Sequence, residues 1–212
     1  ARGQDLNGRK NYLYVGDMGD NNGRRKVKVI YQFEEPDVQK LKKPFNVKSK
    51  KCIQYPFVYG KKNNYNAEAL LVDSAKQKFY IVSKDREKAM VFSGQLSKKN
   101  KTQTLQSLGR IKHLKKIHLE PGGIIAGDLS LDGNELLIRT HRRAYYWKVE
   151  DGEDIIKKML NEKPSVFLGQ WREPAGEGLC FGPKNSGYYT ISEAHKGYVS
   201  RLRFYEKLEL LR

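Results

Sequence analysis

The chain has 212 residues, a mass of 24.5 kDa, and 41 Lys and Arg against 24 Asp and Glu, a formal net charge of +17. That length suits one domain with a sizeable core, and 11% aromatic residues, including 13 Tyr, exclude a disordered basic tail. No apolar run approaches the roughly 20 residues of a membrane helix, and two cysteines are too few for a disulfide scaffold.

Short Val-, Ile-, Tyr- and Phe-rich runs alternate with Gly, Asn, Asp and Lys clusters, a strand-and-turn pattern. In chain order they predict strands near 12–16, 26–33, 52–59, 67–73, 78–84, 88–94, 103–108, 112–119, 124–131, 135–140, 143–149, 165–170, 177–182, 187–192 and 197–205. One segment has helical spacing: Ile155, Ile156, Met159 and Leu160, behind a cap expected at Asp151. Many short strands and one helix mean an all-β protein, a sandwich, barrel or propeller.

Internal repetition favours the propeller. Three acid-first strands align: Glu68-Ala-Leu-Leu-Val-Asp73, Asp128-Leu-Ser-Leu-Asp132-Gly133 and Glu177-Gly-Leu-Cys-Phe-Gly182. Each is followed by a second strand, Phe79 to Lys84, Leu136 to His141 and Tyr188 to Glu193. A third, aromatic strand comes next: Ala89 to Phe92, Ala144 to Trp147 and Val199 to Tyr205. In the N-terminal part, Tyr12 to Asp17, Lys26 to Phe33 and Lys51 to Tyr59 read as second, third and fourth strands, with the innermost strand absent. Residues 1–212 are therefore expected to form a single β-propeller domain, about four blades of it visible, with residues missing before Ala1.

The stretch Tyr14-Val-Gly-Asp-Met-Gly-Asp-Asn21 resembles the VGDIGDN signature of a family of largely uncharacterised, secreted propeller-like proteins. Glu35-Pro36 matches the family's next signature. Glu68 to Asp73 with Phe79 to Lys84 is similar to its EALLVD and LYIVTK segments, and Gly127 to Gly133 with Leu136 to His141 to its ADIS-DG and LLLRTY segments. Gly176 to Gly178 with Tyr189 to Glu193 resembles its GEA and YTVSEG segments. The likeness runs in order along nearly the whole chain. It implies secretion and a complete ring of five or six blades, because members usually carry an upstream blade and a DWED strand that are not seen here. It implies no activity.

The charge is uneven. Residues 1–110 hold 24 Lys and Arg against 10 acids, and residues 111–212 hold 17 against 14. Clusters fall at Arg24-Arg25-Lys26, Lys42-Lys43, Lys48 with Lys50-Lys51, Lys61-Lys62, Lys98-Lys99 with Lys101, and Lys112 with Lys115-Lys116. Such a field attracts a glycan or other polyanion, or else serves solubility alone. No RNP, KH, helix-turn-helix or zinc-finger pattern appears, so no sequence-specific nucleic-acid reading is expected. Cys52 and Cys180 are expected as one bridge or as two buried thiols. The chain begins with Ala and has no charged-then-apolar leader, as in a processed secreted protein or a fragment. Asn100-Lys101-Thr102 is a glycosylation sequon.

An acid opening each inner strand would point into the central channel, so Glu68, Asp128 and Glu177 are the candidate metal ligands. Calcium is the expected cation, since it takes several oxygens in loose geometry. Asn66, Asp17, Asp20 and Asn21 are further oxygen donors. Alternatively the acids pair with Lys84, Arg139 and His141, which end the second strands. Candidate ligand-binding residues are Lys84, Arg139, His141, Glu193, Tyr145 and Trp147. Tyr145, Tyr146, Trp147 and Trp171 would stack on sugars, or else fill the core. His141 and His195, with Glu193 and Asp128 nearby, are the candidates for a general base, while His113 and His118 are expected to be exposed. The leading reading is a secreted, non-catalytic, lectin-like propeller that binds a glycan or another anionic extracellular ligand. The alternatives are a calcium-dependent hydrolase of a lactone, ester or phosphoester at the channel, and a structural or mineral-associated matrix protein.

Overall fold

The computed structural model describes residues 1–37, 52–60, 64–85, 88–113, 123–168, 173, 175–194 and 197–207. They form four sheets and one short helix. The first sheet begins with β1 (Arg2–Gln4), β2 (Asn11–Asp17), β3 (Lys28–Glu34) and β4 (Ile53–Val58). The second contains β5 (Ala67–Asp73), β6 (Lys78–Ser83) and β7 (Met90–Gln95). The next segment divides between the two as β8 (Gln103–Thr104) and β9 (Gln106–Arg110). The third holds β10 (Ala126–Leu129), β11 (Glu135–Arg139) and β12 (Ala144–Lys148), then helix α1 (Ile155–Asn161) and β13 (Val166–Leu168). The fourth holds β14 (Gly176–Phe181), β15 (Gly187–Ser192) and β16 (Leu202–Glu206).

Each sheet is an antiparallel meander: β1-β2-β3-β4, β5-β6-β7-β9, β10-β11-β12-β13 and β14-β15-β16. Successive first strands touch: β1 meets β5, β5 meets β10, and β10 meets β14. The core lies in the gaps between sheets. Tyr14, Ile30, Tyr55 and Phe57 meet Phe79, Ile81 and Phe92 between the first and second. Leu71, Tyr80 and Val82 meet Leu136, Ile138, Tyr145 and Trp147 between the second and third. Leu137 and Ala144 meet Leu179 between the third and fourth. Strands covered on both faces lose the alternation of one-sided strands, so all five residues of β11 are buried. The fold is all-β, with sheets stacked face to face like blades.

Several expectations need correction. The innermost position of the first sheet is filled: Arg2, Gly3 and Gln4 pair with Leu13, Tyr12 and Asn11. A three-residue strand is too short to carry a period-two pattern. The strand expected at 103–108 is two strands. β8 runs parallel beside β4, buried Leu105 makes the crossing, and β9 then pairs with β7. Burying Leu105 between the first two sheets obliges the chain to change edges there. The last strand starts at Leu202, not near 197. The helix cap is Asp154, not Asp151: Asp154 Oδ1 accepts from the amides of Ile156 and Lys157 at 2.9 and 3.0 Å. Most of the strand expected at 112–119 lies outside the described residues, as does His118. His113 is half-buried against the carbonyl of Asn161 rather than exposed.

Candidate functional site

Two strands open with a bulge, and the bulges place the acids. β5 shifts register between Ala67 and Ala69, and β14 between Gly176 and Gly178. The extra residues are Glu68 and Glu177, and a bulge re-aims the side chain it carries. Beside them stand residues that follow the second strands: Lys84 after β6, His141 after β11 and Glu193 after β15. Lys84 Nζ lies 2.8 Å from Glu68 Oε1. His141 Nδ1 lies 3.5 Å from Glu177 Oε1 and 3.2 Å from the carbonyl of Gly176. Gly123 brings its segment against this corner. Its φ is +71°, and a Cβ there would stand 1.7 Å from the Lys84 carbonyl oxygen.

Burial pushes the Glu177 carboxyl above its usual range, Glu68 and Glu193 push it further, and His141 and Lys84 pull it back. The cluster is thus three acids, one lysine and one histidine. Lys84→Met should raise the Glu177 pKa further, because it removes a cation shared with Glu68. A carboxyl-carbon NMR titration reads that shift, and an unchanged Glu177 midpoint would refute the coupling.

Asp128 does not join them. The turns set the register: Asp73 faces Lys78, the Ser130 amide bonds the Glu135 carbonyl, and the Gly182 amide bonds the Gly187 carbonyl. Glu68 precedes Asp73, and Glu177 precedes Gly182, by five residues, whereas Asp128 precedes Ser130 by two. Matching acid to acid therefore sets the Asp128 strand three residues out of register with the other two. Asp128 sits at the level of Leu71 and Cys180 and is nearly buried. Its Oδ2 accepts from the Phe181 amide at 2.9 Å, tying β10 to β14. Burial pushes its carboxyl up to about 6, against the pull of the Phe181 and Leu129 amides, the Ala1 amine and Arg2. Among the described residues no group of three His, Cys, Asp or Glu side chains is placed to hold a metal.

Arg139 is no surface ligand. It is wholly buried, and its guanidinium donates to the carbonyls of Thr140, Gly178 and His141 and to Glu173 Oε2 at 3.1 Å. Gly176 makes the room, since a Cβ there would lie 1.9 Å from Nη2. Glu173 is wholly buried too; its Oε1 accepts from Thr190 Oγ1 at 2.6 Å and lies 3.0 Å from Arg203 Nη1. Glu173 lies outside any periodic run and carries no sequence pattern of its own. The available signal was Arg139 itself, a cation in an apolar strand that must meet a buried acid.

Tyr145 and Trp147 are core, not ligand surface: both are 0% exposed, and Trp147 Nε1 donates to the Glu162 carbonyl at 3.2 Å. Alternation sends both into the gap between second and third sheets, where α1 covers them. Tyr146, on the other face, donates to Glu135, which Lys207 also holds. Cys180 is exposed rather than buried, and neither it nor Cys52 is in a disulfide. His195, Trp171 and the lysines at 40–51, 61–62 and 115–116 lie outside the described residues.

The Asp17 to Gly23 loop holds itself closed. Arg25 grips Asp17 through both oxygens at 2.6 and 2.8 Å. Asp20 accepts from the amides of Arg24 and Arg25 and from the buried Lys28 ammonium at 3.0 Å. Asn66 reaches across from the second sheet to the Asp20 amide and to Asn21. Asn66 thereby joins the first sheet to the second.

No family model and no curated protein matches the chain. Among solved structures it is similar to Kuenenia stuttgartiensis hydrazine synthase, at 10% identity and a TM-score of 0.47, covering 97% of this chain and 45% of that one. It is also similar to the periplasmic gluconolactonase PpgL of Pseudomonas aeruginosa, at 9% and 0.46, covering 99% and 57%. The Dos1 propeller matches at 10% and 0.38, covering 85% and 41%. The chain thus spans less than two thirds of each of these proteins.

Proposed function

We propose that the chain is a non-catalytic binding module, acting outside the cell, whose four sheets are consecutive blades of a five- or six-bladed propeller and whose ligand is an acidic glycan. The observation that carries the binding reading is the pairing at the strand ends. Glu68 is matched by Lys84 and Glu177 by His141, while cations remain in excess outside, with Arg24, Lys26, Lys98, Lys99 and Lys101 exposed. A sulfated or carboxylated polymer gains affinity from such a surface by releasing counterions. Further blades are supported by the outward faces of the end sheets. Val15 on the first, and Ile191, Leu202 and Phe204 on the fourth, remain 43–67% exposed, whereas β6 and β11 in the middle sheets are buried along nearly their whole length.

The chain should bind a heparin resin and elute with salt. Changing Lys98 and Lys101 together to Gln should lower the eluting salt concentration. Retention that salt does not weaken would overturn the reading. A calcium-dependent hydrolase of a lactone, ester or phosphoester is the second reading, favoured by the raised pKa of Glu177 beside His141. Stoichiometric calcium binding lost in Glu177→Gln would support it over the first.

A further inference from the structure

At the opposite ends of the inner strands, the first and second sheets border a half-open cavity of about 300 Å³. Its walls come from the turn after β1, from β2, β3 and β4, and from the turns after β5 and β7. Glu68 opens β5 and Gln77 follows its end, so this cavity and the charged cluster are separated by the length of a seven-residue strand, roughly 20 Å.

The lining is aromatic and amide-rich. Tyr55 donates to Gln32 Oε1 at 2.5 Å, and the same amide bonds the Tyr14 hydroxyl. These three buried side chains make a polar floor fixed before any ligand arrives. Tyr12 is half-buried on the wall, and no hydrogen bond holds its hydroxyl among the described residues. Leu6 forms an apolar lip, 71% exposed. The two charged residues here are opposite in sign, and Asp5 is already engaged by the amides of Arg9 and Lys10 in its own turn.

A phenol ring offers an apolar face with little entropy to lose, and amides offer paired donors and acceptors. Fixed neutral polar groups beside aromatic faces suit a ring with C–H faces and hydroxyl edges, and the volume is at the small end for ligand sites. We infer that this cavity is a binding pocket for one neutral sugar unit, with Tyr12 against the ring face and the Tyr14, Gln32 and Tyr55 group on its hydroxyls. Lys99 of the exposed basic cluster reaches the rim of the pocket, but the inference uses the neutral lining groups and does not rest on the polyanion reading.

Saturation-transfer NMR on the full chain tests it, using the methyl glycosides of glucose, galactose and mannose and of N-acetylglucosamine. At least one should receive saturation in a salt-insensitive way. Tyr12→Ala should weaken that sugar roughly tenfold or more, while far-UV circular dichroism and heparin retention stay as in the parent. Gln77→Asn is the milder second variant: it shortens a lining side chain at φ 51° with a residue that accepts left-handed backbone. It should weaken the same sugar. If none of the four sugars receives saturation, or binding is unchanged in both variants, the inference fails, whatever the heparin column shows.

Discussion

Glu173→Leu is expected to cost about 3–5 kcal/mol of folding stability, read as a fall in the urea midpoint. The change strands Arg139 in a wholly buried site after removing its carboxylate, and it also removes the acceptor of Thr190 and the partner of Arg203. Breaking one side of a buried pair is dearer than losing the pair. Adding Arg139→Met to Glu173→Leu should therefore restore part of the loss, and a double variant no better than the single would refute this account. The same group makes the protein acid-sensitive. Burial would raise the Glu173 carboxyl, but bonds from Thr190, Arg203 and Arg139 hold it below its usual range. A depressed folded value stabilises above the unfolded pKa, about 4.3. That contribution fades as pH falls through the folded value.

Asp128 runs the opposite way. Its folded value of about 6 exceeds the unfolded value of about 3.9. The folded state then holds the proton more tightly, so its contribution is full below about pH 4 and lost as pH rises through about 6. At neutral pH the penalty is roughly 2–3 kcal/mol. Asp128→Asn keeps an acceptor for the Phe181 amide and removes the charge. It should be more stable than the parent at pH 7 and equal to it at pH 4, in thermal melts at the two values. Equal stability at both would show that the carboxylate ionises without penalty.

The strands were legible because period-two runs survive wherever one face is wet, and turn residues mark their ends. β2, β5 and β15 lie close to where alternation and punctuation put them. β1 and β8 were not legible, since strands of three and two residues hold no period. In the site, it was an alternative sequence expectation that the acids pair with Lys84, Arg139 and His141; which acid meets which cation, and that Arg139 goes to Glu173 instead, was not legible. Nor was the level of Asp128, because an acid-first alignment ignores the turns: Glu68 and Glu177 stand five residues before theirs, whereas Asp128 stands two before its own. Tyr145 and Trp147 carry no mark distinguishing a ligand platform from a core face; only the helix lying over them decides it.

The exchange of edges around Leu105 reaches beyond geometry. β8 extends the rim of the first sheet, and one residue later β9 closes the rim of the second. To open the outer edge of either, the segment from Gln103 to Arg110 must be peeled off, and that peeling unzips the other as well. The first two sheets therefore form one cooperative unit, whose rim amides are protected or lost together.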